Sequence, residues 1–151
     1  MLFRSIEDSR IEHAVQWVDD DTGIDCKGRM DAVSSKVIDI KTTRHRTTWQ
    51  ILKDAANFDY HGQLSWYHDG ATRAGLIGGH HLPSIIAVHA PTTGTFVDVA
   101  VLDMDPDTYT QGHALHRRLI KQYAGCVASD MGPGMAPNVV QWQLPAYKLE
   151  D

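Results

Sequence analysis

The sequence has few of the features that would place it in a specialised class of protein. It contains only two cysteines, Cys26 and Cys126, which form no metal-ligand motif, so we expect two free thiols rather than a disulfide scaffold. No apolar run approaches the roughly 20 residues of a membrane-spanning helix. Residues 1–4 also lack the apolar core of a secretion signal. These absences predict a cytoplasmic protein that makes no membrane contact.

A basic excess is also lacking, since the formal net charge is −5. This balance argues against a general nucleic-acid binder, although acidic residues that hold a metal ion would have their local sign reversed by the ion. Positive charge is concentrated between residues 36 and 46, which include Lys36, Lys41, Arg44, His45 and Arg46. The 151 residues predict a single domain over 1–151, with residues 1–10 as a loose lead-in.

Alternation, helix caps and turn residues divide the chain into strands and helices. Strands are expected at 10–18, 24–31, 36–41, 83–90 and 95–102, and helices at 47–56, 60–76 and 106–123. The first helix would carry Trp49, Leu52 and Ala56 on one face. Asp105 followed by Pro106 is typical of a helix start. This order predicts an α/β fold in which a central mixed sheet, with an antiparallel meander, is flanked by helices.

The second and third strands carry the chemistry that the sequence makes most visible. Asp39 and Lys41 share one strand face, and Ile38 and Ile40 point the other way, into a core. If Asp31 pairs opposite residue 37, it lies on the same face, diagonal to Asp39 and about 7–8 Å away at Cβ. Two carboxylates, the carbonyl of Ile40 and waters would suit Mg²⁺, with Mn²⁺ as a substitute. Lys41 would supply positive charge beside a phosphate or an attacking water.

An Asp-x-Lys triplet by itself is common, and a hairpin with solvated charges is the plain alternative. The wider pattern is more specific, because residues 22–31 (TGIDCKGRMD), 38–43 (IDIKTT) and 60–67 (YHGQLSWY) follow in order at compact spacing. Together they resemble the PD-(D/E)XK nucleases, most closely the RecE-type exonuclease domain (exonuclease eight) of the RecB and lambda-exonuclease-like branch. The resemblance runs from about Ile11 to Tyr147 and implies a restriction-endonuclease-like core.

The resemblance also implies roles for further residues. Gln63 would hold the attacking water or a phosphate oxygen, and Tyr67, on the same helix face, would contact the DNA backbone. His61 matches the Tyr-His-x-Gln pattern of this branch and would also contact DNA. Glu12 lies on the first strand, where relatives carry an active-site glutamate, although alternation equally allows it to face solvent.

Taken together, the implied protein is a Mg²⁺-dependent DNA exonuclease that acts on linear DNA in phage or prophage recombination. Catalysis is expected from Asp31, Asp39, Lys41, Gln63 and Glu12, metal binding from Asp31, Asp39 and Ile40, and DNA contacts from Tyr67, His61, Arg44, Arg46 and Thr42. The expected partners are DNA, further copies of the chain and a single-strand annealing protein. Relatives in this branch carry a longer N-terminal helical region before the first strand, whereas about ten residues precede it here. An endonuclease or a non-catalytic DNA-binding domain of this fold remains the alternative.

Other polar clusters are expected to be surface. His113 and His116, three apart on the last helix, would share a zinc ion only with a third ligand, and none is visible. His80 and His81 raise the same question. The run at residues 19–21 is three aspartates in a turn, which predicts solvated charge. The sequence therefore concentrates its chemistry at Asp31, Asp39 and Lys41.

Overall fold

The structure, a computed structural model, describes residues 8–90, 97–132, 134 and 141. Five strands and three helices occur in this part of the chain: β1 (Arg10–Val18), β2 (Asp25–Val33), β3 (Val37–Thr43), α1 (Thr48–Asn57), α2 (Tyr60–Arg73), β4 (Ser84–His89), β5 (Asp98–Asp103) and α3 (Pro106–Ser129). The order of elements agrees with the sequence prediction. The predicted turn at 91–94 and the closing segment at 142–147 lie outside the described residues.

The strands form one mixed sheet in the order β1-β2-β3-β4-β5. The first three strands pair antiparallel, β3 and β4 pair parallel, and β5 returns antiparallel to β4. A parallel pair needs a crossover connection, and α1 and α2 supply it between β3 and β4. The predicted α/β fold with a mixed sheet and an antiparallel meander is confirmed.

The helix ends follow local chemistry. Asp105 caps α3 by accepting hydrogen bonds from the backbone N–H groups of Asp107 and Thr108, and Pro106 opens the helix, as predicted. The helix continues past residue 123 to Ser129 because no proline interrupts it, and it stops where Asp130 adopts a left-handed conformation at φ 52°. α2 ends at Arg73, three residues before the predicted end, because Gly75 already turns the chain at φ 66°.

The main core lies between the sheet and the helices. It contains sheet residues such as Val33, Val37 and Ile85 together with Leu64 and Ala71 of α2. The α1 face that carries Trp49 and Leu52 is solvated, since Trp49 is 68% and Leu52 53% exposed. Ile51 and Ala55 are the α1 residues that pack inward.

A smaller apolar cluster occupies the opposite face of the sheet, where Ala32, Ile38 and Ile86 pack together. Ile38 therefore points away from the helices, as expected. Ile40 is 43% exposed, so its predicted place in a core is wrong. The pairing of β2 with β3 ends at Ala32 and Ile38, so Ile40 lies beyond the part of β3 that pairs with β2, although it still pairs with Ile86 of β4.

The helices α2 and α3 cross at very short distance. A Cβ atom on Gly112 would lie 2.2 Å from the backbone carbonyl oxygen of His61, so only glycine permits this approach. On either side of this crossing, Leu115 of α3 packs against Gly62 of α2, and His116 of α3 reaches Asp69 of α2. No helix in the described part of the chain is long and apolar enough to cross a membrane.

Candidate active site

The register of the β2–β3 hairpin brings the two aspartates together. Val33 pairs with Val37 and Ala32 with Ile38, so the predicted pairing of Asp31 with Val37 is wrong by two residues. The turn is tighter than expected, closed by the Ser34 N–H on the Lys36 carbonyl at 3.1 Å. A shift of two keeps every side chain on its face. Continued by one step, this register would set Asp31 across from Asp39 rather than on the predicted diagonal.

At this step the strands are joined by a side chain rather than by a backbone pair. Oδ2 of Asp31 accepts a hydrogen bond from the backbone N–H of Ile40 at 2.7 Å. The contact fixes the Asp31 carboxylate against the residue whose carbonyl was the third expected metal ligand. The hairpin thus positions Asp31, Asp39 and Ile40 next to one another.

Asp39 is the buried member of the pair, with 3% of its surface exposed. Nζ of Lys41 lies 2.8 Å from its Oδ2, an ion pair without hydrogen-bond alignment, since Oδ2 finds no hydrogen-bond donor among the described residues. Burial raises the pKa of Asp39, Lys41 partly offsets that rise, and the charge of Asp31 adds to it. The Asp39 carboxyl group therefore lies in a place that disfavours its negative charge.

Lys41 connects the sheet to α2. Its Nζ donates a hydrogen bond to Oε1 of Gln63 at 3.2 Å, and Nε2 of Gln63 donates to the hydroxyl of Tyr67 at 3.1 Å. The ammonium also lies 4.6 Å from the ring centroid of Tyr60, within cation–π range. A continuous line of polar contacts therefore runs from Asp39 through Lys41 and Gln63 to Tyr67.

The donor set at the hairpin fits a hard divalent cation. Asp31, Asp39 and the Ile40 carbonyl offer oxygen atoms only, which is the preference of Mg²⁺ and Mn²⁺. The buried Oδ2 of Asp39, which lacks a hydrogen-bond donor among the described residues, is the observation that favours a cation here. Its charged partner is the ammonium of Lys41, so a cation would supply the second positive charge that balances the two neighbouring carboxylates.

The structure does not bring the carboxylate of Glu12 into this set. The residue adopts φ 51°, and its Oε2 lies 3.2 Å from Nη1 of Arg29 in an exposed ion pair. His61 sits on α2 with its Nε2 3.9 Å from Oδ1 of Asp59. Thr42, Arg44 and Arg46 are exposed at and after the end of β3, which leaves their side chains accessible to a ligand.

Two residues of functional interest, Tyr60 and Asp69, were not given a role from the sequence. Tyr60 contacts Lys41, and its place three residues before Gln63 on α2 was the available signal. Asp69 of α2 lies beside His113 and His116, so the expectation that these histidines lack a third ligand is wrong. No sequence signal links Asp69 to them, because the contact depends on how the two helices cross.

Two predicted charge patterns also change. Asp19, expected to be solvated, is 2% exposed and pairs with Arg117, which also contacts Asp21 with Nη2 2.7 Å from Oδ2. Lys36 likewise contacts Asp103, with Nζ 2.6 Å from Oδ1. Part of the positive charge counted in the sequence is therefore paired with acidic side chains of the same chain.

No curated protein matches the sequence. Among solved structures, a protein from Eubacterium rectale described as "Putative exonuclease" aligns with a TM-score of 0.62 at 12% identity, over 98% of this chain and 59% of that one. The chain thus spans less than two thirds of that protein, and at this identity the likeness shows the fold alone. A second structure, SSO0001, aligns with a TM-score of 0.43 at 17% identity, over 80% and 53% of the two chains, and carries no argument.

A family profile gives the decisive match. The family described as "PDDEXK-like domain of unknown function (DUF3799)" matches residues 2–140. The predicted PD-(D/E)XK resemblance is thereby confirmed for the superfamily, and the E. rectale structure agrees with it in fold. Because the match covers nearly the whole chain, this protein belongs to the PDDEXK-like family DUF3799.

Proposed function

We propose that this chain is a metal-dependent DNA nuclease whose active site is built from Asp31, Asp39, Lys41 and Gln63. The PDDEXK-like family and the fold of the E. rectale protein support a nuclease-type function. The assignment of these four residues to the active site rests on the line of contacts from Asp39 through Lys41 to Gln63. The carboxylate of Asp31 lies beside this line, on the backbone N–H of Ile40. A surface hairpin with solvated charges has no need for a buried carboxylate aligned with a lysine and a helix amide.

In this proposal Mg²⁺ is held by Asp31, Asp39 and the Ile40 carbonyl. When bound, such an ion polarises a phosphate oxygen and lowers the pKa of a bound water. The ammonium of Lys41 then offsets the negative charge that builds up on the phosphate as water attacks and the leaving oxygen departs. Gln63, fixed between Lys41 and Tyr67, orients the attacking water or a phosphate oxygen, which is a positioning contribution.

The side chains proposed to contact DNA come from two places, the segment that follows β3 and the helix α2. Arg44 and Arg46 lie exposed just after β3, and Tyr67 extends from α2 beside Gln63. A Cβ on Gly28 would lie 3.1 Å from the Tyr67 ring, so the β2 backbone limits where that ring can move. These residues would hold the phosphate backbone, which fits a substrate recognised without regard to base sequence.

The exonuclease assignment and the preference for linear DNA are the finer part of the proposal. The description of the E. rectale protein as an exonuclease supports them by fold similarity only. An endonuclease of the same fold would use the same residues, so substrate ends, rather than active-site variants, distinguish the two.

The experiment is a digestion series on end-labelled linear duplex and single-stranded DNA with Mg²⁺, with Mn²⁺ and with chelator. Asp31→Asn and Asp39→Asn should abolish cleavage, whereas Asp25→Asn, an exposed carboxylate on the same strand as Asp31, should cleave at the parent rate. Cleavage that survives chelator, or that survives Asp39→Asn, would overturn the proposal. Binding of DNA by the parent without cleavage in either metal would leave a non-catalytic binding domain.

A further inference from the structure

A second cluster of potential metal ligands lies between α2 and α3, built from different residues. Asp69, His113 and His116 each offer one ligand atom, and these atoms lie within 4.8 Å of one another. Oδ2 of Asp69 is 3.4 Å from Nε2 of His113 and 3.1 Å from Nε2 of His116. Both imidazoles are therefore directed at the same carboxylate oxygen.

The fold places these groups with little freedom. His113 and His116 are three apart on α3 and so share one helix face, and the glycine crossing at Gly112 presses that face against α2. His116 is 6% exposed, and its ring packs at 4.7 Å, centroid to centroid, from that of His113. The crossing therefore holds the two rings together beside the carboxylate of Asp69.

The Asp69 carboxylate is also oriented by a hydrogen bond to its other oxygen, Oδ1. The hydroxyl of Tyr109 donates to Oδ1 of Asp69 at 3.3 Å and lies 3.0 Å from Nδ1 of His68. This leaves Oδ2 facing the two imidazoles, as in metal sites whose ligating carboxylates are held by outer hydrogen bonds.

We propose that Asp69, His113 and His116 bind a divalent transition-metal ion of the zinc class, which cross-links α2 to α3. Two imidazole nitrogens and one carboxylate oxygen suit zinc and its neighbours rather than Mg²⁺ or Ca²⁺, which prefer oxygen alone. Three protein ligands leave a fourth position for water or for a group of a bound molecule. The site is independent of the proposed nuclease centre, whose ligands are oxygen atoms of β2 and β3.

The place of the cluster gives it a second consequence. Gln63 and Asp69 are six residues apart on α2, a rise of about 9 Å, and Gln63 and His116 both line one groove of about 540 Å³ between β2 and the two helices. An ion at the cluster would therefore stabilise the helix that carries Gln63. It would support the geometry of the nuclease centre without taking part in its chemistry.

The test uses the whole chain without a histidine tag, stripped with chelator and titrated with Zn²⁺ by calorimetry and by thermal unfolding. We expect one Zn²⁺ bound per cluster and a higher Tm with Zn²⁺ than with Mg²⁺ at the same concentration. His113→Ala, at a half-exposed position, and Asp69→Asn should each weaken this binding at least about tenfold. His80→Ala, an exposed histidine outside the cluster, should bind as the parent does.

Zn²⁺ bound at the hairpin instead would mimic part of this result, so Asp39→Asn is the separating variant. Retention of the Zn²⁺-dependent Tm rise in Asp39→Asn together with its loss in Asp69→Asn supports the inference, even if the chain proves to have no nuclease activity. The opposite pattern, or parent-like Zn²⁺ affinity in both Asp69→Asn and His113→Ala, would overturn it.

Discussion

Lys41 of β3 and Gln63 of α2 meet across the boundary between the sheet and the helix layer, with Nζ 3.2 Å from Oε1. Lys41 was predicted as functional from the Asp-x-Lys triplet of β3. Gln63 was predicted from its place one helical turn before Tyr67 on α2. Their meeting makes the two motifs parts of one arrangement. The kinetic consequences of that arrangement can be separated residue by residue.

Lys41→Ala should lower the DNA cleavage rate by about 10²–10³-fold, the usual loss when one donor that stabilises transition-state charge is removed. Metal affinity should persist, because Asp31 and Asp39 remain. Single-turnover cleavage in saturating Mg²⁺ measures the first, and calorimetric titration with Mn²⁺ the second. Lys53→Ala on α1 is the matched control, since Lys53 is exposed and its recorded contact is with Trp49. Parent-like cleavage by Lys41→Ala would remove Lys41 from the mechanism.

Gln63→Ala should reduce turnover less than Asp39→Asn does, by about 10–100-fold, because it orients a reactant rather than holding the metal. The loss should fall on kcat more than on metal affinity. Gln50→Ala on α1 offers an exposed glutamine as control. An unchanged rate with intact helix content by circular dichroism would show that Gln63 only braces Lys41.

The raised pKa of Asp39 predicts that this residue, which is needed for the proposed metal binding, lowers the stability of the metal-free protein at neutral pH. A carboxyl group whose pKa is raised by folding contributes stability below its unfolded pKa, and that contribution is lost as pH rises through the folded pKa. Asp39→Asn should therefore stabilise the metal-free protein at neutral pH, with a gain that vanishes near pH 3.5, below the ordinary pKa of aspartate. Thermal unfolding of both proteins between pH 3.5 and 8 in chelator measures this. A difference that does not change with pH would contradict it.

The same pKa shift predicts the acid limb of activity. Cation binding needs Asp39 ionised, so the cleavage rate should fall with decreasing pH earlier than an aspartate of ordinary pKa would allow. Added Mg²⁺ should move that limb to lower pH, because the cation competes with the proton for the same carboxylate. A rate profile at several Mg²⁺ concentrations tests the coupling, and a limb that does not move with Mg²⁺ would assign it to another group.

Arg117→Ala should destabilise the protein by about 3–5 kcal/mol, the usual cost of leaving one partner of a buried ion pair uncompensated. Arg117 holds the pKa of Asp19 well below its usual range, and Asp19 in turn accepts hydrogen bonds from Thr22 within the β1–β2 turn. Denaturant unfolding at pH 7 measures the loss. Arg118→Ala, at an exposed position next in sequence, should stay within about 0.5 kcal/mol of the parent.

The sign of the pH effect at Asp19 is opposite to that at Asp39. A pKa lowered by folding contributes stability above the unfolded value, and that stability is lost as pH falls through the ordinary aspartate range toward the folded pKa. The gap between the parent and Arg117→Ala should therefore narrow in acid. A gap of constant size would show that Arg117 stabilises the protein through packing rather than charge.

The sequence predicts features that depend on neighbouring residues, and it does not predict contacts between segments that are far apart in the chain. The alternation in β1 and the Asp105-Pro106 start of α3 are local signals, and both elements begin at the predicted residues. The Asp31–Asp39 register depends on a short turn, which the sequence placed two residues out. The error kept the correct face because the side-chain period of a strand is two.

Contacts between distant segments were beyond reach. Asp19 and Arg117 are 98 residues apart, and nothing in an aspartate-rich turn indicates that one member is buried against a late helix. The Asp69 cluster depends on the crossing at Gly112, where the absence of a side chain is the decisive property. A glycine within a helical pattern favours several structures equally, so the crossing could not be predicted from it.

Linear DNA with free ends should be cleaved much faster than covalently closed circles if the exonuclease assignment is correct. A single chain offers limited positive surface, since Lys36 and Arg117 are paired with acidic residues. Its affinity for DNA should depend on contacts with a few phosphates and should therefore fall steeply as the salt concentration rises. Several copies around one DNA would multiply Arg44 and Arg46 along the track, so we expect a homo-oligomer in light scattering. Nicked circles separate end recognition from strand opening. Equal rates on closed circles and linear duplex would make the chain an endonuclease, with the same active-site residues and an open groove.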